Sequence, residues 1–147
     1  MPEENINLKH IRIKGFKSIA KLDMSMGSIN ILIGANGAGK SNFISLFTFL
    51  SHLSQGKLRN YVATEGGAER FFHFGTRHTQ KMIFNLQVGI NGYHVEFTPN
   101  LNDDSLVFAE EYCTITSSSR HWKLYPQKGE SGFVSGEEAD SYYIKKY

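Results

Sequence analysis

The sequence predicts an α/β fold in which strands lead into a phosphate-binding loop, one main helix follows the loop, and an antiparallel sheet forms the second half. Three observations support this fold class. Residues 34–41 read GANGAGKS, a complete G-x-x-x-x-G-K-[ST] motif. Apolar residues recur at spacings of three and four over 43–53, directly after the motif. Apolar and polar residues alternate over 82–97, as they do in strands with one buried face.

Length and composition predict a globular domain. The chain has 147 residues, of which 40% are hydrophobic and 13% aromatic, enough to form a core. A net charge of +2 does not by itself indicate a nucleic-acid surface. Cys113 is the only cysteine, so no internal disulfide or cysteine-rich zinc site is expected, and a reducing cytoplasm fits best. The sequence shows no signal peptide and no membrane-spanning run, so contact with a membrane is not expected.

Three strands are predicted before the loop. Residues 8–14 alternate, with Ile11 and Ile13 on the face that is expected to be buried. A second strand is predicted at 19–24, and a third, buried strand at 29–33 runs into the loop. Simple nucleotide kinases usually begin with one strand before the loop, so three strands favour a different branch of nucleotide-binding folds.

The loop predicts a site for nucleotide phosphates. Its glycines let the backbone curl around an anion, so that N–H groups and the positive end of the following helix face the phosphates. Lys40 is expected to reach the β- and γ-phosphates of ATP, and the Ser41 hydroxyl is expected to bind Mg²⁺.

The helix after the loop is predicted from one apolar face. That face comprises Phe43, Leu46, Phe47, Leu50 and Leu53. Residues 57–80 are a polar connector, in which we expect a short helix at 58–63 and a loop at 66–67.

Residues 82–97 predict a β-hairpin. Asn91-Gly92 is interpreted as a type I′ turn, which pairs Ile90 with Tyr93. This register places six apolar side chains on one face, namely Leu86, Val88, Ile90, Tyr93, Val95 and Phe97. Further strands are predicted at 106–116 and 121–125, with a turn at 117–119 and another candidate strand at 133–134.

Two stretches resemble a known protein family. They read IRIKGFKSI at 11–19 and NILIGANGAGKSN at 30–42. Together they resemble the N-terminal lobe of ABC-type ATPase heads of the RecF/SMC-like group. The likeness is greatest to bacterial predicted AAA-family ATPases, which are related to OLD-family and anti-phage defence ATPases. It extends over 8–53 and more loosely over 57–112, where GGAE at 66–69 and FHFG at 72–75 also look like that family.

The resemblance implies an ATP-binding site and its residues. The phosphates would be held by Asn36, Gly37, Ala38, Gly39, Lys40 and Ser41, with Asn42 beside them at the helix start. It also implies that Arg12 and the segment with Lys17 and Ser18 contact the base, sugar or phosphates. A solvated strand edge is the alternative for these basic residues.

The same resemblance implies the cofactors, partners and domain limits. The cofactors would be ATP and Mg²⁺, and two heads would sandwich ATP as a homodimer, or another ATPase segment would complete the site. We expect one ATP-binding lobe over 1–147, divided into strands, loop and helix at 8–56, a connector at 57–80 and an antiparallel sheet at 81–135.

Several catalytic parts of such ATPases are not recognisable in the sequence. These are an apolar run that ends in Asp-Glu, an LSGG-like signature and a late switch histidine. The segment LVFAEE at 106–111 has the apolar run, but glutamate stands where aspartate is expected, and an outer strand is the favoured interpretation. No catalytic residue is therefore assigned. The chain is either the N-terminal piece of a longer ATPase, which we favour, or a short subunit that another chain completes.

The sequence is compatible with three functions. The favoured one is an ATP-binding lobe that couples ATP binding and hydrolysis to conformational change in DNA maintenance or anti-phage defence, with little hydrolysis by this chain alone. The second is a nucleotide-dependent scaffold that docks a nuclease or toxin partner without turnover. The third, a small kinase, is disfavoured by the strands before the loop. Nucleic acid is a further candidate partner, because basic residues interleave with aromatic ones over 70–81 and 120–123, although packing of the aromatic residues under the antiparallel sheet is the favoured interpretation of this pattern.

Overall fold

The computed structural model describes residues 7–115, 120–123 and 130–132. Its elements follow the order β1 (Leu8–Phe16), β2 (Ile19–Ser25), α1 (Lys40–Ser54), α2 (Leu58–Thr64), a 3₁₀ turn (Ala68–Arg70), β3 (Met82–Val88), β4 (Asn91–Asn100), β5 (Ser105–Ile115) and β6 (Arg120–Lys123). The strands form one antiparallel sheet in the order β2-β1-β3-β4-β5-β6. The predicted α/β class is confirmed. None of the described helices is long and apolar enough to cross a membrane.

The core lies between α1 and one face of this sheet. Phe49 of α1 is fully buried, and its ring meets those of Phe16, Phe84 and Phe97 edge-on at centroid distances of 5.4–5.6 Å. Each such aromatic pair adds about 1 kcal/mol to the burial of the rings themselves. Phe49 was not included in the predicted apolar face, whereas the predicted Phe47 is 37% exposed. The buried face of α1 therefore comprises Phe43, Leu46, Phe49 and Leu53, with Phe49 in place of the predicted Phe47.

The segment before the loop corrects one prediction. Residues 29–33 form no strand, and Ile29, Ile31 and Ile33 are 85%, 79% and 91% exposed. Only β1 and β2 precede α1 in the described structure. A strand that is apolar on both faces needs neighbours that cover it, and no described strand pairs with this segment. The apolar run therefore indicates that residues 29–33 need a partner strand, and no such strand is present among the described residues.

The β3–β4 hairpin is present, but its predicted turn is wrong. Val88 pairs with Asn91, so the two-residue turn consists of Gly89 and Ile90. Gly89 has a φ of 60°, and glycine with positive φ at the first central position is typical of a type II′ turn. Gly92 has no positive φ and lies within β4.

The register error preserves the face predicted for the strands, except at Ile90, which lies in the turn and is 46% exposed. Leu86 pairs with Tyr93 and Phe84 with Val95, so each of these β4 residues pairs four residues earlier on β3 than predicted. Because side chains alternate with a period of two, an even shift keeps the same residues on the core face. Val95 is accordingly fully buried.

The second half of the chain continues the antiparallel sheet. Residues 106–111 lie in β5, where they pair with β4, whereas β6 pairs only with residues 112–115 of β5. Among the described residues this segment has a strand neighbour on one side only, and its favoured interpretation as an outer strand is confirmed. The turn predicted at 117–119 and the candidate strand at 133–134 lie outside the described residues.

Candidate nucleotide-binding site

The phosphate-binding loop ends in the N-terminus of α1. The first helical hydrogen bond runs from Phe43 N to Gly39 O over 2.9 Å. The N–H groups of Lys40, Ser41 and Asn42 therefore have no acceptor within the helix. Gly39 makes no side-chain cap, and the first turn contains no acidic residue. The positive end of the helix dipole is therefore not offset by a carboxylate of its own, which is the arrangement that binds phosphate.

Gly39 is required by the geometry of the loop. Its φ is 89°, a left-handed value that favours glycine. A Cβ atom at this position would lie 3.0 Å from the Ser18 hydroxyl oxygen. A side chain at residue 39 would therefore require both the left-handed backbone and a shift of Ser18.

Lys40 folds back over the loop that precedes it. Its Nζ donates to the carbonyl oxygens of Gly34 at 2.5 Å and Ala35 at 2.7 Å. Both acceptors are neutral, and a charged phosphate oxygen makes a stronger partner for an ammonium group. The ammonium is thus held beside the loop by bonds that a bound polyphosphate can replace.

The β1–β2 turn is bonded directly to the first turn of α1. The Asn42 side-chain amide donates to the Ser18 hydroxyl oxygen over 2.7 Å. Two residues that the resemblance placed at the nucleotide are thereby brought together. Ser41, the predicted Mg²⁺ ligand, is exposed at the same helix start.

Lys17 is fixed in the same turn by two hydrogen bonds and two cation–π contacts. Its backbone N–H donates to Phe71 O at 2.7 Å, and its carbonyl oxygen lies 2.7 Å from His73 Nδ1. Its Nζ lies 5.2 Å from the ring centroid of Phe71 and 5.7 Å from that of Phe16, within the range of cation–π contacts. These contacts hold the backbone at a φ of 48°. Burial lowers the pKa of the Lys17 ammonium, which Glu65 partly offsets.

A cleft of about 350 Å³ adjoins the loop at Ser18 and Asn42. Its lining residues are Lys17, Ser18, Asn42, Glu65, Arg70, Phe71, Phe72, Phe74 and Gly75. Cavities of several hundred Å³ commonly hold small-molecule ligands. Phe74 is 79% exposed at its mouth, with its ring centroid 4.2 Å from that of His73. The cleft therefore offers aromatic surface and cationic groups next to the phosphate loop.

Sequence reasoning did not assign most of this lining to the site. Glu65, Arg70 and Phe71 come from the connector, where no regular apolar period marks them. The signal available was the FHFG stretch at 72–75, which carries part of the family resemblance. The connector contributes to the cleft because its 3₁₀ turn and the residues after it pack against the β1–β2 turn, as the Phe16–Phe72 bridge records.

Arg12 lies apart from the cleft lining. Its Nε donates to Asp23 over 2.7 Å, and His10 Nε2 lies 2.6 Å from the other oxygen of the same carboxylate. The hydrogen bonds from Arg12 and His10 lower the pKa of Asp23. Arg12 is 62% exposed on β1, so its place at a nucleotide remains a prediction.

Glu111 is occupied within the sheet. It is 1% exposed and accepts hydrogen bonds from the Tyr93 hydroxyl at 2.6 Å, from the Ser131 hydroxyl and from Gly132 N at 2.8 Å. These bonds attach residues 131–132 to β5. The geometry is that of a structural carboxylate rather than of a group that activates water.

Comparison with known proteins yields matches of three kinds. The family model described as "AAA domain, putative AbiEii toxin, Type IV TA system" matches residues 29–140, more than half of the chain. The DNA replication and repair protein RecF of Paenarthrobacter aurescens (strain TC1) is 32% identical over 65 residues, which cover 44% of this chain and 15% of RecF. The chain thus spans less than a fifth of that relative's length.

A solved structure is also similar to the chain. It comes from work on ATP-driven dimerization and DNA-stimulated activation of SMC ATPases, and it is 17% identical with a TM-score of 0.38. The match covers 95% of this chain and 75% of the other. The two sequence matches confirm the resemblance to RecF/SMC-like P-loop ATPases that the motifs indicate.

Proposed function

Since the chain belongs to the family described as "AAA domain, putative AbiEii toxin, Type IV TA system", we propose that it is the ATP-binding lobe of a RecF/SMC-like ATPase. The observation that carries this proposal is the intact phosphate loop. The loop passes through Gly39, which has no side chain, into the N-terminus of α1, and the Lys40 ammonium is held beside it. The lobe binds ATP and takes part in coupling the nucleotide cycle to conformational change.

The geometry supports a particular pose for the nucleotide. The β- and γ-phosphates lie in the loop, where Lys40 exchanges its carbonyl partners for phosphate oxygens. The Ser41 hydroxyl fits a position in the Mg²⁺ shell, because it is exposed at the start of α1. Mg²⁺ neutralises charge on the phosphates when it is bound.

The cleft supports a position for the nucleoside. Lys17, Ser18 and Asn42 lie between the loop and the aromatic residues of the connector. The base would lie toward Phe74, which is the exposed aromatic residue of the lining, and the ribose or α-phosphate toward Lys17. The contacts of Arg12 with a nucleotide require it to leave Asp23, and this part of the proposal rests on the family resemblance.

Completion of the site requires further protein. Glu65, the carboxylate in the lining of the cleft, acts on Lys17 and is not assigned as a general base, and the exposed residues 29–33 need a partner strand. A second head, or another ATPase segment, would supply the general base and the partner strand. We therefore expect slow hydrolysis by the 147-residue chain, a cytoplasmic location and a role in DNA maintenance or anti-phage defence for the complete ATPase.

Calorimetry with Mg-ATP tests the proposal on the wild-type chain, Lys40→Ala and the control Lys57→Ala. Lys57 is an exposed lysine just beyond the other end of α1, where it reaches Gln55 Oε1 at 3.2 Å. We expect Lys40→Ala to weaken binding by about tenfold or more, since one charge-assisted contact is lost, and Lys57→Ala to leave it unchanged. Equal affinity in all three proteins would contradict the proposal.

The second candidate is a scaffold that binds ATP without turnover and docks a nuclease or toxin partner. The structural role of Glu111 supports this alternative. Glu111 is the residue of the 106–111 segment that could have been a catalytic carboxylate, and its oxygens are occupied by hydrogen bonds within the sheet. Measurement of ATP hydrolysis in the protein with its partners present separates the two functions. Turnover supports the ATPase, and tight binding without turnover supports the scaffold.

A further inference from the structure

The outer face of the sheet, opposite α1, gathers three side chains that can ligate a metal ion. His94 and Glu96 lie on β4, where they alternate with the buried Val95 and Phe97, and Glu110 lies on β5. One ligand atom from each of His94, Glu96 and Glu110 lies within 4.8 Å of the others. This cluster is separate from the phosphate loop and from the cleft beside it.

The imidazole of His94 is oriented by its neighbours. Its Nδ1 lies 2.7 Å from Asn85 Oδ1, an oxygen that can only accept, so Nδ1 carries a proton. Its ring stacks on that of Tyr112 at a centroid distance of 4.5 Å and an angle of 18°. A second-shell hydrogen bond of this kind fixes which nitrogen a histidine presents to a metal.

The other ring nitrogen faces the two carboxylates. His94 Nε2 is buried and has no hydrogen-bond partner among the described residues, and it lies 3.6 Å from Glu110 Oε2. With Nδ1 protonated, the neutral ring directs its lone pair toward an anionic oxygen. A buried nitrogen in this setting is satisfied by a cation placed between it and the carboxylates.

The two glutamates reinforce this requirement. Glu96 and Glu110 are direct cross-strand partners, and like charges at such positions destabilise a sheet. Lys81 pairs with Glu96, but the Lys81 side chain is 61% exposed and can leave at small cost. The negative charge of Glu96 and Glu110 is therefore only partly neutralised by the protein's own cations.

We propose that His94, Glu96 and Glu110 bind one Zn²⁺ ion on the outer face of the sheet. One imidazole nitrogen with carboxylate oxygens is a ligand set that zinc accepts at about 2.0–2.2 Å, which places neighbouring ligand atoms about 3.3 Å apart. The 3.6 Å between His94 Nε2 and Glu110 Oε2 is already close to that spacing. Glu96, whose ligand atom lies within 4.8 Å of the other two, becomes the third protein ligand when it leaves Lys81. The fourth position is left for water.

Titration of Zn²⁺ into the metal-stripped, tag-free chain by calorimetry tests the proposal. The experiment uses a Cys113→Ser background, because Cys113 is the only thiol in the sequence. We expect one Zn²⁺ per chain and an affinity at least tenfold weaker in His94→Gln and in Glu110→Gln. Lys81→Met should tighten binding, since it removes the cation that competes for Glu96.

His10→Gln is the matched control. His10 Nε2 lies 2.6 Å from Asp23 Oδ1, so it forms another histidine–carboxylate pair on the same sheet, but Arg12 occupies the second oxygen of that carboxylate. This variant should bind Zn²⁺ as the parent does. Circular dichroism and melting curves verify that each variant is folded, and the imidazole ¹⁵N resonances of His94 should shift with Zn²⁺ in the parent chain. An affinity unaffected by His94→Gln and Glu110→Gln, or Zn²⁺ shifts confined to other histidines, would overturn the proposal.

Discussion

The side-chain amide of Asn42 donates a hydrogen bond to the hydroxyl of Ser18 over 2.7 Å, and this bond joins the first turn of α1 to the β1–β2 turn. It connects the part of the site that is suited to phosphates with the part that lines the adjacent cleft. The relative position of these two parts decides whether one nucleotide can occupy both. The bond is therefore a positioning contact for the proposed ligand.

A double-mutant cycle on Ser18→Ala and Asn42→Ala measures that contact. We expect each single variant to weaken Mg-ATP binding about three- to tenfold, and the double variant to weaken it by less than the product of the two effects. A coupling of about 0.5–1.5 kcal/mol corresponds to one neutral hydrogen bond. Calorimetry provides the affinities, and fully additive effects would show that the bond does not position the nucleotide.

Lys17 gives a prediction about pH. Burial lowers the pKa of its ammonium in the folded chain, so this group loses its proton at a lower pH than an exposed lysine does. The protonated form attracts phosphate, so its contribution to ATP affinity is complete below the folded pKa and disappears as pH rises through it. Lys17→Met keeps the aliphatic stem against Phe71 and removes the charge.

The ratio of wild-type to Lys17→Met affinity should therefore be largest at neutral pH and decline toward one in the alkaline range. Lys21→Met, on the exposed side of β2, serves as the control and should follow the wild type. A ratio that stays constant over the whole pH range would show that the Lys17 charge does not contact the nucleotide.

Glu111→Gln separates the two interpretations of residues 106–111. A glutamine at this position can keep its carbonyl oxygen toward Gly132 N only if its NH2 group faces the Tyr93 and Ser131 hydroxyls, which must then accept instead of donating. The variant also loses the charge of the carboxylate in these hydrogen bonds, which costs about 1–3 kcal/mol, so the melting temperature should fall. Nucleotide affinity and any residual ATP hydrolysis should be unchanged. A folded variant that has lost hydrolysis would instead identify Glu111 as part of the catalytic machinery.

Glu130 caps α2 from a distant part of the sequence. Its two carboxylate oxygens accept hydrogen bonds from Leu58 N and Arg59 N, both at 2.9 Å. We expect Glu130→Ala to cost about 1 kcal/mol, as the loss of other helix caps does, with Glu130→Gln intermediate. Hydrogen exchange should show faster amide exchange in residues 58–64. Unaltered protection there would contradict the capping role.

The β3–β4 hairpin provides a paired test of two glycines. A Cβ at Gly89 meets no atom within 4 Å, so Gly89→Val acts through its φ of 60° alone and should cost about 1 kcal/mol or more. At Gly92 a Cβ would collide with the Thr114 hydroxyl. Gly89→Val and Gly92→Ala should each lower the melting temperature by about 2–4 °C or more.

Thr114→Ala distinguishes the two causes. It should restore the stability of Gly92→Ala, because it removes the colliding atom, and it should not restore that of Gly89→Val. Rescue of Gly89→Val would contradict the role of its backbone conformation in the turn, and failure to rescue Gly92→Ala would contradict the collision with Thr114.

The sequence by itself determined the features that depend on neighbouring residues. The loop is readable because its glycines, Lys40 and Ser41 stand at fixed spacings, and β1 is readable because Ile11 and Ile13 alternate with polar residues. The hairpin's buried face was predictable for the same reason. Alternation specifies which face a residue occupies, and that information survives an even shift in register.

Only the tertiary structure decided where the hairpin turns and what surrounds the loop. Gly89-Ile90 and Asn91-Gly92 are both acceptable local turns, and the choice depends on pairing with β1, where Ile11 lies opposite Leu86. The cleft joins residues more than fifty positions apart in sequence, and the proposed zinc ligands come from two strands. For residues 29–33, apolar composition indicated a buried strand, but burial requires a partner surface, which composition alone cannot place.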